Sequence, residues 1–466
     1  MNTKYKRLLG DTALFALGNF GSKILTFLLV PLYTSILSTS DYGTADLVTT
    51  TVNLLYPILT LSVCESTLRF VLDKNEDKHK VLSNSLLVTF VAIIALLCFT
   101  PFAFLFKNFI SEYWWFLFFI FVCITLHMCV SNYVKGIGKT KIYAIQGIVY
   151  TLTYVSSNII LLLGLKVGIR GYLSSIIIAY VVALLFMIIS AKCIKEIVIF
   201  KVDKLLLKRM LTYCVPLIPT SIMWWINASA DKYMLAWIVG TSANGLYSVA
   251  NKIPSIFATF SSIFSQAWRL SAVTNYDEKK NDTGFYSNVY NVYIILGICV
   301  CMGLTAFSKG FALLLFKKDY FIAWNLVPML LLAALMEGLT GFLASLYVAA
   351  KKTKLLMIST FVGAIANIFL NYLLIKLIGI RGAAIATMIS FFIVWIISSK
   401  VLNSIMILST SNLKVIVSIA IMFLSALYFS YDWPFALPVY LASILVILLI
   451  NYNEFVKVIK KALFFR

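Results

Sequence analysis

Apolar runs of about 20 residues follow one another along almost the whole chain, broken only by short polar loops. A helix of that length crosses a hydrocarbon layer of roughly 30 Å, so each run is a candidate transmembrane span. Fourteen can be placed, at about residues 10–37, 45–71, 81–106, 113–134, 142–165, 171–194, 213–239, 245–270, 285–308, 322–350, 355–376, 382–403, 412–430 and 434–451. With 61% hydrophobic and 12% charged residues, the spans leave no stretch for a soluble domain. The expected fold is therefore an all-α integral membrane protein. The basic N-terminus resembles a signal peptide, but Asn19 and Lys23 interrupt its apolar run and no A-x-A site follows, so it reads as a retained first span.

Net charge is +21, and its placement excludes nucleic acid as the partner. The basic residues gather in alternate loops, among them Lys4, Lys6, Lys74, Lys78, Lys80, Lys135, Lys139, Lys141, Lys201, Lys204, Lys208, Arg209, Lys279, Lys352 and Lys354. The opposite loops hold few, such as Lys107, Lys166, Arg170, Lys317 and Arg381. By the positive-inside rule both termini are expected in the cytoplasm. The 8 cysteines lie in or near spans and include no C-x-x-C pair, which fits small buried hydrophobes and no metal or disulfide frame.

The chain repeats itself. "GKTK" at Gly138 and "KKTK" at Lys351 each lead, through an apolar run, to the same tetrapeptide "GIRG", at Gly168–Gly171 and Gly379–Gly382, with two extra residues in the first copy. "TSDYG" from Thr39 likewise matches "TSANG" from Thr241. Ordered matches with matched loop sidedness imply a duplication of six spans, and an even number of spans per copy puts both copies in the same orientation about an axis along the membrane normal. The expected organisation is a six-helix lobe at 1–200, a second at 205–403, two added helices at 404–451 and a basic tail at 452–466. The GIRG arginines read as headgroup-level structural residues.

Polar residues recur at helical spacing inside the spans. Ser248, Lys252, Ser255, Thr259, Ser262, Gln266 and Arg269 advance by steps of three and four, as do Asp46, Thr50, Asn53, Pro57, Thr60, Cys64 and Thr67. Such stripes either join helices or line a polar path. Charge favours the path, because an ionised group at bilayer centre costs about 2.5–3.5 kcal/mol even on the lenient scale. Lys23, Asp231, Lys232 and Lys252 all fall deep in predicted spans. Glu65 and Arg69 stand at i,i+4, either as an intrahelical ion pair or as a gate at the inner mouth with Gln266 and Arg269. Glu337 is read as a lone buried acid, either a partner for a lysine or a coupling-ion site, and His127 as a packed neutral ring. Pro57 and Pro254 are expected at similar depths in the two copies, as static kinks or as hinges. Trp114, Trp115, Trp237, Trp324 and Trp433 read as interfacial anchors.

"GIRGAAIATMIS", "SKILTFLLVPLYTSILSTSDYGTADL" and "DKYMLAWIVGTSANGLYSVANKI" resemble the MATE-like transporter superfamily, and within it the polysaccharide repeat-unit flippases of the Wzx type, over roughly residues 1–403. The resemblance implies two six-helix lobes around a central cleft. It also implies transfer of an undecaprenyl-diphosphate-linked oligosaccharide to the outer leaflet of a bacterial inner membrane, without a cofactor. It brings membrane lipids, a polysaccharide polymerase and chain-length machinery into view as partners. On this reading Asn19, Lys23, Asn53, Asp231, Lys232, Lys252, Ser255 and Thr259 line the cleft, and its lysines meet the diphosphate. A cation-coupled multidrug exporter of the same fold is the alternative, with a membrane glycosyltransferase behind it. The enzyme reading is the weaker because only His79 and His127 are available, the outer loops are short, and no Walker-type phosphate loop occurs.

Overall fold

The computed structural model describes residues 27–73, 75–105, 109–193, 201–275, 283–350, 352–403, 406, 408, 412–452 and 455. Asn19 and Lys23 lie outside them. The described elements are helical throughout. In chain order the principal helices are α1 (Val30–Ile36), α2 (Thr39–Leu59), α3 (Val63–Val71), α4 (Lys78–Cys98), α5 (Trp114–Gly136), α6 (Thr140–Asn158), α7 (Ile169–Ser190), α8 (Lys204–Cys214) and α9 (Leu217–Ile238). They continue as α10 (Thr241–Ala250), α11 (Pro254–Asn275), α12 (Thr283–Ala306), α13 (Ser308–Leu315), α14 (Val327–Ala349), α15 (Thr353–Ile378), α16 (Ile380–Asn403), α17 (Asn412–Ser430) and α18 (Ala436–Ile450). Among the described residues 9 helical segments are long and apolar enough to cross a membrane, or 10 when α2 and α3 are taken as one span bent by 60°. α9 and α11 fall outside that set, and they carry Asp231, Lys232 and the hydroxyl-rich run from Ser255.

The duplicated motifs adopt duplicated conformations. Gly168 has φ 65°, ψ −141° and Gly379 has φ 63°, ψ −140°, a region closed to side chains, which is why glycine opens both tetrapeptides. The closing glycines answer a second demand: a Cβ on Gly382 would stand 2.1 Å from the Leu374 carbonyl oxygen, and one on Gly171 3.3 Å from that of Leu161. The two extra residues of the first copy are taken up in a widened turn at Ile159–Gly164, where the Leu165 amide donates to the Ile160 carbonyl five residues back. Both "TS" motifs also start a helix at their threonine, α2 at Thr39 behind a Ser38/Asp41 capping box and α10 at Thr241 behind Gly240.

The helices that follow those starts break at different heights, so Pro57 and Pro254 do not correspond. α2 runs 21 residues and carries Pro57 inside its last turn, whereas α10 ends after 10 and Pro254 starts a new helix. The expectation of continuous stripes is corrected accordingly. Beyond the bend, Thr60, Cys64 and Thr67 turn into the packed interior, Thr67 bonded to Ser85 at 2.7 Å, while Asn53 is exposed. Ser248 is buried on α10, and Lys252 stands in the break.

The described chain forms two compact units that part at Trp225 and Ile226. In the first, α8 is fastened to the start of α4. Asn84 exchanges two hydrogen bonds with the Asp203 backbone (2.9 and 3.1 Å), and Lys80 bonds the Asp203 carboxylate at 3.0 Å. That carboxylate also caps α8 through the Leu205 and Leu206 amides, and with Lys80 these bonds hold its pKa below the ordinary value. Arg209 pairs with Glu76, and Leu206 and Met210 enter a cluster with Val71, Leu82 and Val134.

In the second unit, Trp268 stacks on Phe342 with centroids 4.4 Å apart and Phe264 on Tyr293 at 4.9 Å, joining α11 to α14 and α12. Arg381 of the second GIRG lies 4.0 Å over the Tyr431 ring, between α17 and α18, which agrees with its structural reading. Trp114 and Trp324 are not interfacial: each is at least nine-tenths buried, Trp114 donating to the Thr100 hydroxyl and Trp324 lying under Lys309. Trp115, Trp237 and Trp433 are exposed as expected, and all 8 cysteines are free thiols.

Alanine at Gly168 or Gly379 should cost about 1–3 kcal/mol each through backbone strain, whereas alanine at helical Gly147, where nothing lies within 4 Å of the added carbon, should be neutral or mildly stabilising. Thermal midpoints of the detergent-purified variants measure this; equal midpoints for all three would refute the strained turn.

Candidate functional site

Within the second unit, α9, α10, α11, α14 and α16 line a half-open cavity of about 240 Å³. Its polar wall is built around Asp231. One carboxylate oxygen accepts hydrogen bonds from the Tyr247 hydroxyl and, at 3.2 Å, from the Thr387 hydroxyl; the other accepts from the Lys232 amide at 2.8 Å. Asp231, Tyr247 and Thr387 are each more than nine-tenths buried, so one side chain ties three helices together.

Lys232, Glu337, Asn251 and Ser255 complete the polar lining, while Pro254, Ala258, Leu330 and Phe391 supply the apolar part. Glu337 is thus not a lone acid, because it shares the cavity with Asp231. Nearby on α9, Asn227 is buried and donates to the Thr360 carbonyl of α15 at 3.3 Å, with its own carbonyl oxygen unpartnered. Asn367 and Asn371, buried one turn apart on α15, also leave a polar atom each unpartnered. Two carboxylates among hydroxyl and amide oxygens can hold a proton or a hard cation; among the described residues no cluster of three His, Cys, Asp or Glu suits a transition metal.

Adjoining the cavity, α11 divides into two faces. Phe257, Ile263, Ala267 and Trp268 pack inward, whereas Ser255, Ser262, Gln266 and Arg269 are exposed and Thr259 is half-buried. The hydroxyls donate along their own helix, Ser255 to the Lys252 carbonyl (2.6 Å), Thr259 to that of Ser255 (2.7 Å) and Ser262 to that of Thr259 (2.9 Å). With their protons engaged, the three hydroxyls offer oxygen lone pairs to whatever meets them, while Gln266 and Arg269 add N–H donors at the far end of the face.

The structure therefore gathers Asp231, Lys232, Ser255 and Pro254 at one cavity and puts Lys252 beside it in the α10–α11 break, half-buried. Asn53, Glu65 and Arg69 belong to the first unit. Glu65 and Arg69 are exposed, and the expected ion pair between them does not form; the described residues pair as Lys80–Asp203, Arg209–Glu76 and Lys309–Asp432. His127 is buried and hydrogen-bonded to Gln146 at 2.9 Å, as a packed ring should be. Sequence reasoning missed Tyr247 and Thr387, whose partnership with Asp231 spans helices, and Asn251. A signal for Asn251 was present in Pro254, since proline favours the first turn of a helix and so marks the break before it.

This architecture is a multi-pass helical fold that is also found in solved membrane transporters. Three solved structures share it. A multidrug resistance MATE family transporter of the MOP superfamily, in an inward-facing conformation, is 13% identical, with 86% of this chain and 98% of that chain covered at a TM-score of 0.70. The lipid II flippase MurJ, in an inward closed conformation, is 17% identical, with 96% and 100% covered at 0.70. A MOP superfamily transporter from Pyrococcus furiosus, described as having a binding pocket of reverse polarity, is 12% identical, with 86% and 96% covered at 0.61. Among curated proteins none matches. The polysaccharide biosynthesis protein family model matches residues 8–269, more than half of the chain, and the protein belongs to that family.

Replacing Tyr247 with Phe removes a charge-assisted donor and should destabilise the protein by about 1.5–3 kcal/mol. The thermal midpoint should fall measurably while the protein still elutes as a single species; an unchanged midpoint would show that Asp231 does not hold α10 in place.

Proposed function

We propose that the protein is a flippase for lipid-linked oligosaccharide repeat units, carrying undecaprenyl-diphosphate-linked glycans from the inner to the outer leaflet of a bacterial cytoplasmic membrane by alternating access, with both termini cytoplasmic. The observation that carries this reading is the exposed hydroxyl face of α11, beside Lys252, in a chain of a polysaccharide biosynthesis family with a transporter fold. Lone pairs along that face suit sugar hydroxyls, which are donors, and tolerate varied sugar composition. Lysines meet a diphosphate as charge-assisted donors. On this reading the six-helix lobes at 1–200 and 205–403 alternate, with Asn53 and the α11 stripe as cargo contacts, Glu65, Arg69, Gln266 and Arg269 as gate residues, and the breaks near Pro57 and Pro254 bending. Delivery to a polysaccharide polymerase and chain-length machinery would follow.

One observation favours the exporter alternative: Asp231 and Glu337 line the same cavity, and paired carboxylates suit a cationic drug or a coupling cation. Cargo charge separates the two readings. Lys252→Gln should leave the protein folded and inserted but reduce glycan export at least several-fold, with Lys252→Arg restoring part of it. Undiminished export from Lys252→Gln would remove the lysine from cargo recognition. Loss of cationic dye efflux with glycan export intact would favour the exporter.

A further inference from the structure

The helix between the repeats, α8, carries a surface that the proposed transport does not use. Its buried row is Leu206, Met210 and Cys214, spaced by four and set into the first unit. The opposite half is exposed and has two characters. Lys204 and Lys208 stand one turn apart, with Lys201 just before the helix, while Leu205 (70% exposed) and Tyr213 (45%) flank Arg209 in the adjacent row. Val202 and Val215 extend the apolar margin at 43% and 47% exposure. Asp203 is engaged with Lys80 and Glu76 with Arg209, and none of the described ion pairs uses Lys201, Lys204 or Lys208.

We propose that this outward half of α8 seats on the bilayer surface, where Lys201, Lys204 and Lys208 bind the phosphate headgroups of anionic phospholipids while Leu205 and Tyr213 enter the headgroup–acyl boundary. Interfacial helices combine these two features, a basic side for headgroups and apolar side chains that dip below them. Tyr213 already meets the Phe70 ring edge-on at 6.2 Å, so Leu205 is the side chain that a face meant only for water has no use for, and a lysine stem can lie along apolar surface while its ammonium reaches a phosphate. The capped and ion-paired helix is already ordered, so seating it costs little conformational entropy. The inference is independent of the cargo.

The test is native mass spectrometry of the full-length protein with phosphatidylglycerol or phosphatidylcholine of identical acyl chains. Wild type should retain phosphatidylglycerol preferentially, and each lysine removed should weaken that preference about five-fold. Lys201→Gln, Lys204→Gln and Lys208→Gln together should abolish it, whereas Lys317→Gln with Lys318→Gln should not. Leu205→Asn should weaken both lipids alike. Because all three lysines are exposed, the single variants read the same preference should the triple variant unfold. Equal binding of the two lipids by wild type, or a preference that survives the three substitutions, would overturn the proposal. Competition by soluble glycerophosphate at matched concentration would also overturn it, identifying a free-phosphate site instead of a lipid surface.

Discussion

Hydrocarbon offers no partner to a backbone N–H or C=O, so a chain crossing it must close those groups within helices and can leave the helix only where protein or a polar cavity takes over. That constraint makes the two breaks the informative parts of this structure. At the first, the Ser62 amide bonds the Pro57 carbonyl, the Thr60 hydroxyl bonds that of Tyr56, and Asn132 of α5 reaches across to the Cys64 carbonyl at 2.8 Å. At the second, the Asn251 amide side chain takes the Tyr247 carbonyl at 3.0 Å while Asn251 itself lines the cavity. One break is closed by neighbouring protein. The other opens onto polar space.

The same contrast runs through the duplicated halves. Both keep the GIRG turn and the helix start at the "TS" threonine, features of local backbone geometry. They differ in what the interior holds. In the first unit Tyr33 bonds Tyr154 at 3.0 Å and Tyr150 stacks on Tyr154, whereas the second places a carboxylate between Tyr247 and Thr387 with a cavity beside it.

The repeat and the apolar runs were legible in the sequence because both depend on local rules, glycine where φ is positive or backbones crowd and hydrophobic length, whereas only 9 or 10 segments among the described residues are long and apolar enough to cross and the breaks within 45–71 and 245–270 were not foreseen. The two-residue offset between copies was visible as well, and the wide turn at Ile159–Gly164 is its physical counterpart. The polar site was legible only in part. Asp231 and Lys232 stood out as costly charges deep in a span and Ser255 as part of a polar stripe, yet Tyr247 and Thr387 are ordinary residues until folding brings them to Asp231. Stripe reasoning assumed unbroken helices, and the three residues between α10 and α11 shift the phase, so Ser248 is buried while Ser255 is exposed. Trp114 misled for a related reason: proximity to a predicted boundary says nothing about a neighbouring helix, and Thr100 provides the partner that lets its indole be buried.

The central claim is that a polar, partly cationic surface inside an apolar chain carries a lipid-linked glycan across the membrane. Its most direct test is the leaflet in which lipid-linked repeat units reside in cells lacking the gene, read by a membrane-impermeant glycan label in spheroplasts. The account predicts that the units accumulate out of reach of the label and become accessible when the gene is restored. Normal labelling without the gene would contradict it.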